Sequence, residues 1–187
     1  HTLGFRVLNE SMLVKKQLNE AGYSNITVNI NLSEKQLQNK NTYLTICELL
    51  AQYSLQASDF VIEITESVLH STSSENHIKR LSAEGFKFAL DDFGTGYSAL
   101  SRLHDYTIDI IKIDKSFIDL LLSNTKQNTI TSAVISLGKQ LGHKVVAEGV
   151  ENEQQSNMLA QMGCDQMQGF YFAKPMPIHE LLKFLDT

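Results

Sequence analysis

Apolar and polar positions along this chain switch repeatedly between a period of about two and a period of about 3.6, and the switches mark out strands and helices. Residues 3–21 carry Leu8, Met12 and Leu18 among Lys and Glu, with Gly22 at the stop, which predicts an amphipathic helix. Residues 26–31 alternate as a β-branched strand, and Ser33 with Gln36 forms a capping box that opens another helix. A helix over 42–53 follows, with Leu44, Cys47 and Leu49 or Leu50 as its expected apolar stripe. Residues 60–65 read as a strand ending in acid, 74–83 as a polar helix, and 86–91 as a third strand. A short helix near 98–103 precedes a strand over 108–113, and a helix over 128–141 stops at Gly142. A fifth strand at 144–148, a helix at 152–162, a weak strand at 166–169 and a last helix after Pro177 complete the pattern.

Strand then helix, six times over, predicts parallel strands and an α/β fold. The length of 187 residues suits about one domain, and no composition shift marks a linker. Sixteen basic against 21 acidic residues leave a formal charge of −5, which argues against a duplex DNA binder. Cys47 and Cys164 stand outside any metal-ligand spacing and read as reduced thiols of a cytoplasmic protein. No run approaches the 18 or so apolar residues of a membrane span.

The chemistry shows in where the polar residues fall. Each predicted strand carries a polar or acidic residue at or near its C-terminal end: Asn31, Glu63, Asp91, Lys112, Glu148 and Gln168. In α/β folds those ends form one rim, where active sites are built. The richest stretch runs from Phe88 through Asp91-Asp92-Phe93-Gly94-Thr95-Gly96 to Ala99. Neighbouring side chains on a strand point to opposite faces, so both aspartates serve one site only if the backbone turns there, and Gly94 and Gly96 permit a turn. Asp92-Phe93-Gly94 also spells the kinase magnesium triplet, but no kinase phosphate loop or catalytic loop accompanies it. Four gathered carboxylates (Glu63, Asp91, Asp92, Glu148) would repel by about 4 kcal/mol per pair at 4 Å with an effective dielectric near 20. Lys112 supplies one positive charge, so divalent cations with oxygen ligands, Mg²⁺ or Mn²⁺, are expected, two of them balancing the four acids. Water shared between two such ions becomes acidic enough to attack a phosphodiester.

Glu63-Ile64-Thr65-Glu66, Asp91 to Ser98, Lys112-Ile113-Asp114, Ala147-Glu148-Gly149-Val150-Glu151 and Gln168-Gly169-Phe170 resemble, in order, the signatures of the EAL-domain cyclic di-GMP phosphodiesterases. Asn31-Leu32-Ser33 fits the same family's Asn-x-Ser element. The resemblance implies a TIM-like (β/α) barrel with one antiparallel strand, and hydrolysis of cyclic di-GMP to linear pGpG with two Mg²⁺ or Mn²⁺ ions. It implies that Asn31, Glu63 and Asp91 hold one metal and that Asp91, Asp92 and Glu148 serve the second. Glu148 is then also the general base, Lys112 contacts the water or phosphate, and Gln168 completes the rim. Glu66 becomes the anchor of the loop that carries Thr95 and Gly96, residues expected to lie near the substrate. Homodimerisation, and fusion to sensory or GGDEF cyclase domains, are implied by the resemblance alone.

No Glu-Ala-Leu tripeptide occurs in the sequence, and about six strands are predicted where such a barrel has eight in about 250 residues. The expectation is a single EAL domain over 1–187 that lacks its first two strands. The strand at 26–31 would then present an open edge that other residues or another chain must cover. Activity of these residues alone should be reduced, and a catalytically silent cyclic di-GMP receptor or an interaction domain is the alternative.

Overall fold

The computed structural model describes residues 2–93, 106–122 and 125–186. The expected helix near 98–103, and Thr95 and Gly96, lie outside the described residues. The order is α1 (Thr2–Glu20), β1 (Val28–Asn31), α2 (Glu34–Leu37), α3 (Lys40–Tyr53), β2 (Phe60–Thr65), α4 (Thr72–Ala83), β3 (Lys87–Phe93) and β4 (Ile110–Ile113). There follow α5 (Lys115–Asp119), α6 (Thr125–Gln140), β5 (Lys144–Glu148), α7 (Glu153–Gln161), β6 (Gln166–Gln168) and α8 (Ile178–Leu185). The strands belong to a six-stranded sheet whose order follows the chain, the α/β arrangement expected. The chain divides into two compact units, residues up to Phe88 together with those from Met176 onward, and Ala89–Pro175.

In the first unit β1 runs parallel to β2, with Asn31 opposite Glu63. Leu8, Met12 and Leu18 form the buried stripe of α1, as their spacing requires. Lys15 falls in the same stripe and is fully buried. Its Nζ donates to Ser24 O at 2.8 Å and Ile26 O at 2.7 Å and lies 3.2 Å from Asp59 Oδ1. One cation thereby fastens α1 to the chain entering β1 and to the turn before β2. Lys15→Met is expected to lower unfolding stability by about 3 kcal/mol, because it strips these acceptors of their donor. Urea unfolding checks this, and a loss under about 0.5 kcal/mol, the usual range for surface changes, would contradict it.

The stripe expected for α3 is corrected. Leu44 is 55 % exposed, and the buried face centres on Thr42 and Ile46, with Cys47 half-buried beside it. Residues 44–50 are apolar on more than one side of the helix, so periodicity alone left the facing open. Gln36 does reach back as the capping box requires, its Oε1 accepting from Ser33 N at 3.1 Å.

In the second unit β3, β4, β5 and β6 lie parallel in that order. Ile113, Ile118, Leu121, Ile135, Val145, Ala147, Val150 and Leu159 make one core from β4, α5, α6, β5 and α7. Strands covered on both faces need near-continuous apolar runs, which Ile110-Ile111 and Val145-Val146-Ala147 supply. Lys112, at 4 % exposure, is the polar intruder in that pattern. Among the described residues no helix is long and apolar enough to cross a membrane.

Candidate metal centre

The site in the second unit grows from an irregularity in β3. Leu90 pairs with Ile111 and Phe93 with Ile113, so β3 spends one more residue than β4 between these two pairs. The extra residue is a bulge, which bends a strand and re-aims its side chains. Asp92 adopts φ +56°, the left-handed region that aspartate tolerates better than most residues. Both departures break the strict up-and-down alternation, so Asp91 and Asp92 can serve one site. The turn thus begins at Asp92 itself, ahead of the glycines from which it was expected.

Ligand oxygens of Asp91, Asp92 and Glu148 lie within 4.8 Å of one another. Between two of these acids stands Lys112, its Nζ 3.1 Å from Asp91 Oδ1 and 2.6 Å from Glu148 Oε1. Buried ammonium groups are retained only when well paired, and two carboxylates meet that need here. Asp91 Oδ1 is buried and, among the described residues, accepts no hydrogen bond; its contact with Lys112 is an ion pair without hydrogen-bond alignment. The pKa of Asp92 is raised, first by its partial removal from water, then by the negative charges of Asp91 and Asp114, with Lys112 pulling the other way.

Three carboxylates and one ammonium carry a formal charge of −2 as a set, the charge that one divalent cation cancels. Hard oxygen donors, one of them buried and accepting no hydrogen bond among the described residues, fit a divalent cation that prefers oxygen ligands. An acidic cluster alone would prove little. Here it sits at the C-terminal ends of parallel strands with a buried lysine laid across it.

Neighbouring backbone fixes these side chains. Gly149 follows Glu148 at φ +72°, a conformation costly for a residue with a Cβ. Val150 N donates to Gln168 O at 3.0 Å, and Tyr171 N donates to Val150 O at 3.0 Å, pinning the exit of β5 to that of β6. Gln168 itself is exposed and lies opposite Glu148 in the strand register. Asp114 caps α5, its carboxylate accepting from Ser116 N at 3.0 Å; the Ser116 side chain first, and then backbone N–H groups of Ser116 and Lys115, hold its pKa below the usual value.

Three further expected residues belong to the first unit. Glu63 is buried and accepts from Asn29 Nδ2 at 2.7 Å. Asn31 is exposed and lines a cavity of about 650 Å³ with Phe5, Leu8, Gln36 and Thr42. Glu66 is half-buried in the turn of 3₁₀ helix that follows β2. Asn29 was not among the expected residues, although it shares a strand face with Asn31 at a spacing of two.

A parallel α/β sheet carries at its strand ends a lysine-bridged acidic cluster that could hold a divalent cation. The chain belongs to the EAL domain family, whose model matches residues 1–175. It is 38 % identical over 187 residues to the signaling protein YkoW of Bacillus subtilis, covering 98 % of this chain and 23 % of that one. It is 35 % identical over 182 residues to the bifunctional diguanylate cyclase/cyclic di-GMP phosphodiesterase MucR of Pseudomonas aeruginosa, covering 96 % and 27 %. The chain therefore spans about a quarter of the length of these curated relatives. A solved structure of the PaMucR phosphodiesterase in complex with c-di-GMP superposes with a TM-score of 0.91 at 35 % identity, over 96 % of this chain and 74 % of that one.

Proposed function

We propose that this chain is the catalytic portion of a metal-dependent phosphodiesterase that opens cyclic di-GMP to linear pGpG. The observation that carries the proposal is the Asp91, Asp92 and Glu148 cluster with Lys112 across it, in a chain of the EAL family. The c-di-GMP complex of a relative 35 % identical supports the choice of substrate. Asp91, Asp92 and Glu148 would hold Mg²⁺ or Mn²⁺, and two ions per complete site is our reading. When bound, such ions neutralise charge on the phosphodiester and acidify water.

The protein's own groups then divide the work. Lys112, fixed between two acids, presents its ammonium to the phosphate or the attacking water. Glu148 takes the water's proton on a carboxylate oxygen while the new P–O bond forms and the P–O3′ bond breaks; the leaving O3′ gains a proton from solvent to become a 3′-hydroxyl, and pGpG keeps a 5′-phosphate. Glu148 and Lys112 are thus the catalytic pair. Gln168 completes the rim beside Glu148.

The test is turnover of cyclic di-GMP with Mn²⁺ or Mg²⁺, in the 187-residue chain and in a longer form carrying a Glu-Ala-Leu segment ahead of His1. The proposal expects pGpG that disappears with a chelator, with the longer form the faster. Binding without turnover in both would favour a receptor, and neither binding nor turnover would leave an interaction domain.

We also propose that the working protein is cytoplasmic, homodimeric and fused to sensory or GGDEF domains. Relatives about four times this length favour fusion, the free cysteines Cys47 and Cys164 suit a reducing compartment, and exposed Ile130 and Leu141 offer apolar surface to a second copy. A single 21.0 kDa species in sedimentation at every concentration would exclude the dimer.

A further inference from the structure

Gln155 stands in the first turn of α7, a polar helix, yet it is only 5 % exposed. Both ends of its amide are used. Its Oε1 accepts from Glu151 N at 2.8 Å, and its Nε2 donates to Ile118 O at 3.1 Å. The two partners fix which end is oxygen, since a backbone N–H needs an acceptor and a carbonyl needs a donor. Its own N–H donates to Asn152 Oδ1 at 2.9 Å, so the helix cap holds the residue that holds the loop.

The partners lie where the chemistry is. Glu151 belongs to the loop that leaves β5 just after Glu148, and Ile118 to α5, which follows the Lys112 strand. One buried side chain therefore ties the exit of one catalytic strand to the helix that follows the other. A second tie runs outside it. Lys115 Nζ pairs with Glu151 and with Asp119, and its stem crosses Gly149 so closely that a Cβ there would sit 2.7 Å from Lys115 Cβ.

We infer that Gln155 is a positioning residue, which sets the spacing of Glu148 from Lys112 and with it the shape of the cluster that takes the metal. The inference rests on the metal-site reading above. A residue with a merely structural role would stabilise the fold without privileging these two strands. Gln155 differs because its hydrogen bonds end on segments adjoining Glu148 and Lys112.

The experiment measures Mn²⁺ affinity, amide hydrogen exchange and Tm on the whole chain for wild type, Gln155→Leu and Leu159→Ala. Leu159 lies one turn further along α7 in the core, and its truncation reports destabilisation without touching the tie. Gln155→Leu is expected to weaken Mn²⁺ about tenfold or more, the usual effect of losing a group that orients a ligand. Exchange should quicken over residues 148–151 and 115–119 while Ile113 and Val145 keep their protection. Leu159→Ala should lower Tm with little loss of Mn²⁺. Unchanged affinity in Gln155→Leu, or an equal loss in Leu159→Ala, overturns the inference. Should Gln155→Leu not fold, Gln155→Glu, which keeps the acceptor for Glu151 and loses the donor to Ile118, is judged the same way. If wild type binds no Mn²⁺ the metal reading falls, and exchange alone decides: local quickening upholds the tie and uniform quickening refutes it.

Discussion

Asp91→Asn is expected to lower cyclic di-GMP turnover by more than about a hundredfold, since even groups that only orient a metal ligand cost ten- to a hundredfold. The substitution keeps the side chain's shape and removes one negative charge. Asp91 Oδ1 is buried beside Lys112 yet accepts no hydrogen bond among the described residues, so it keeps a lone pair for a cation. Lys112 keeps Glu148 at 2.6 Å, and the fold should therefore persist, with Tm close to wild type. Nucleotide affinity should fall far less than turnover. A second readout follows from charge alone: the Asp91 carboxylate helps raise the pKa of Asp92, so Asp92 should titrate at lower pH in the variant. Steady-state kinetics, calorimetric binding and carboxyl titration by NMR check the three. Wild-type turnover in the variant would remove Asp91 from the mechanism.

The second large effect concerns stability. At Gly169 an added Cβ would run into the backbone of Val150, 2.7 Å from its carbonyl carbon and nearer still to its N and O. Side chains can swing away from such contacts; backbone cannot. Val150 is moreover held on both sides, its N by Gln168 O and its O by Tyr171 N, so relief would require breaking a bond that pins the exit of β5. Gly169→Ala is expected to cost about 3 kcal/mol, the upper range for overpacking. Mn²⁺ affinity should fall with it, because Glu148 begins the displaced segment. Urea unfolding measures the first effect, and a change within about 0.5 kcal/mol would show that the two backbones part easily.

Most of the strand frame was legible because β-branched runs with acids at their ends announce buried parallel strands. Phe60–Thr65 and Lys144–Glu148 fall where the pattern put them. Val28–Asn31 starts two residues later than expected, since Ile26 and Thr27 have strand propensity but precede the paired segment. Five-residue α5 was missed: too short to show a period, it is signalled only by its cap, Asp114. The acids and lysine of the centre were legible one by one, from position. Their convergence depends on the bulge and on the left-handed Asp92, and neither has a sequence signal of its own.

Gln155 and Lys15 escaped for a related reason. A glutamine in a polar helix and a lysine among glutamates both read as solvated faces. Only tertiary structure shows that each is buried against carbonyl groups. For Gln155 a signal did exist, because Asn152 and Gln155 have the spacing of a helix cap with its reciprocal partner.

We propose that the carboxylates at the ends of β3 and β5 form a seat for divalent cations. Anomalous diffraction from crystals grown with Mn²⁺ tests it most directly. The expected result is a peak in coordination contact with oxygens of Asp91, Asp92 and Glu148, with Lys112 still beside them. Fully occupied Mn²⁺ elsewhere in the crystal, with these three carboxylates bare and Lys112 alone between Asp91 and Glu148, would contradict it.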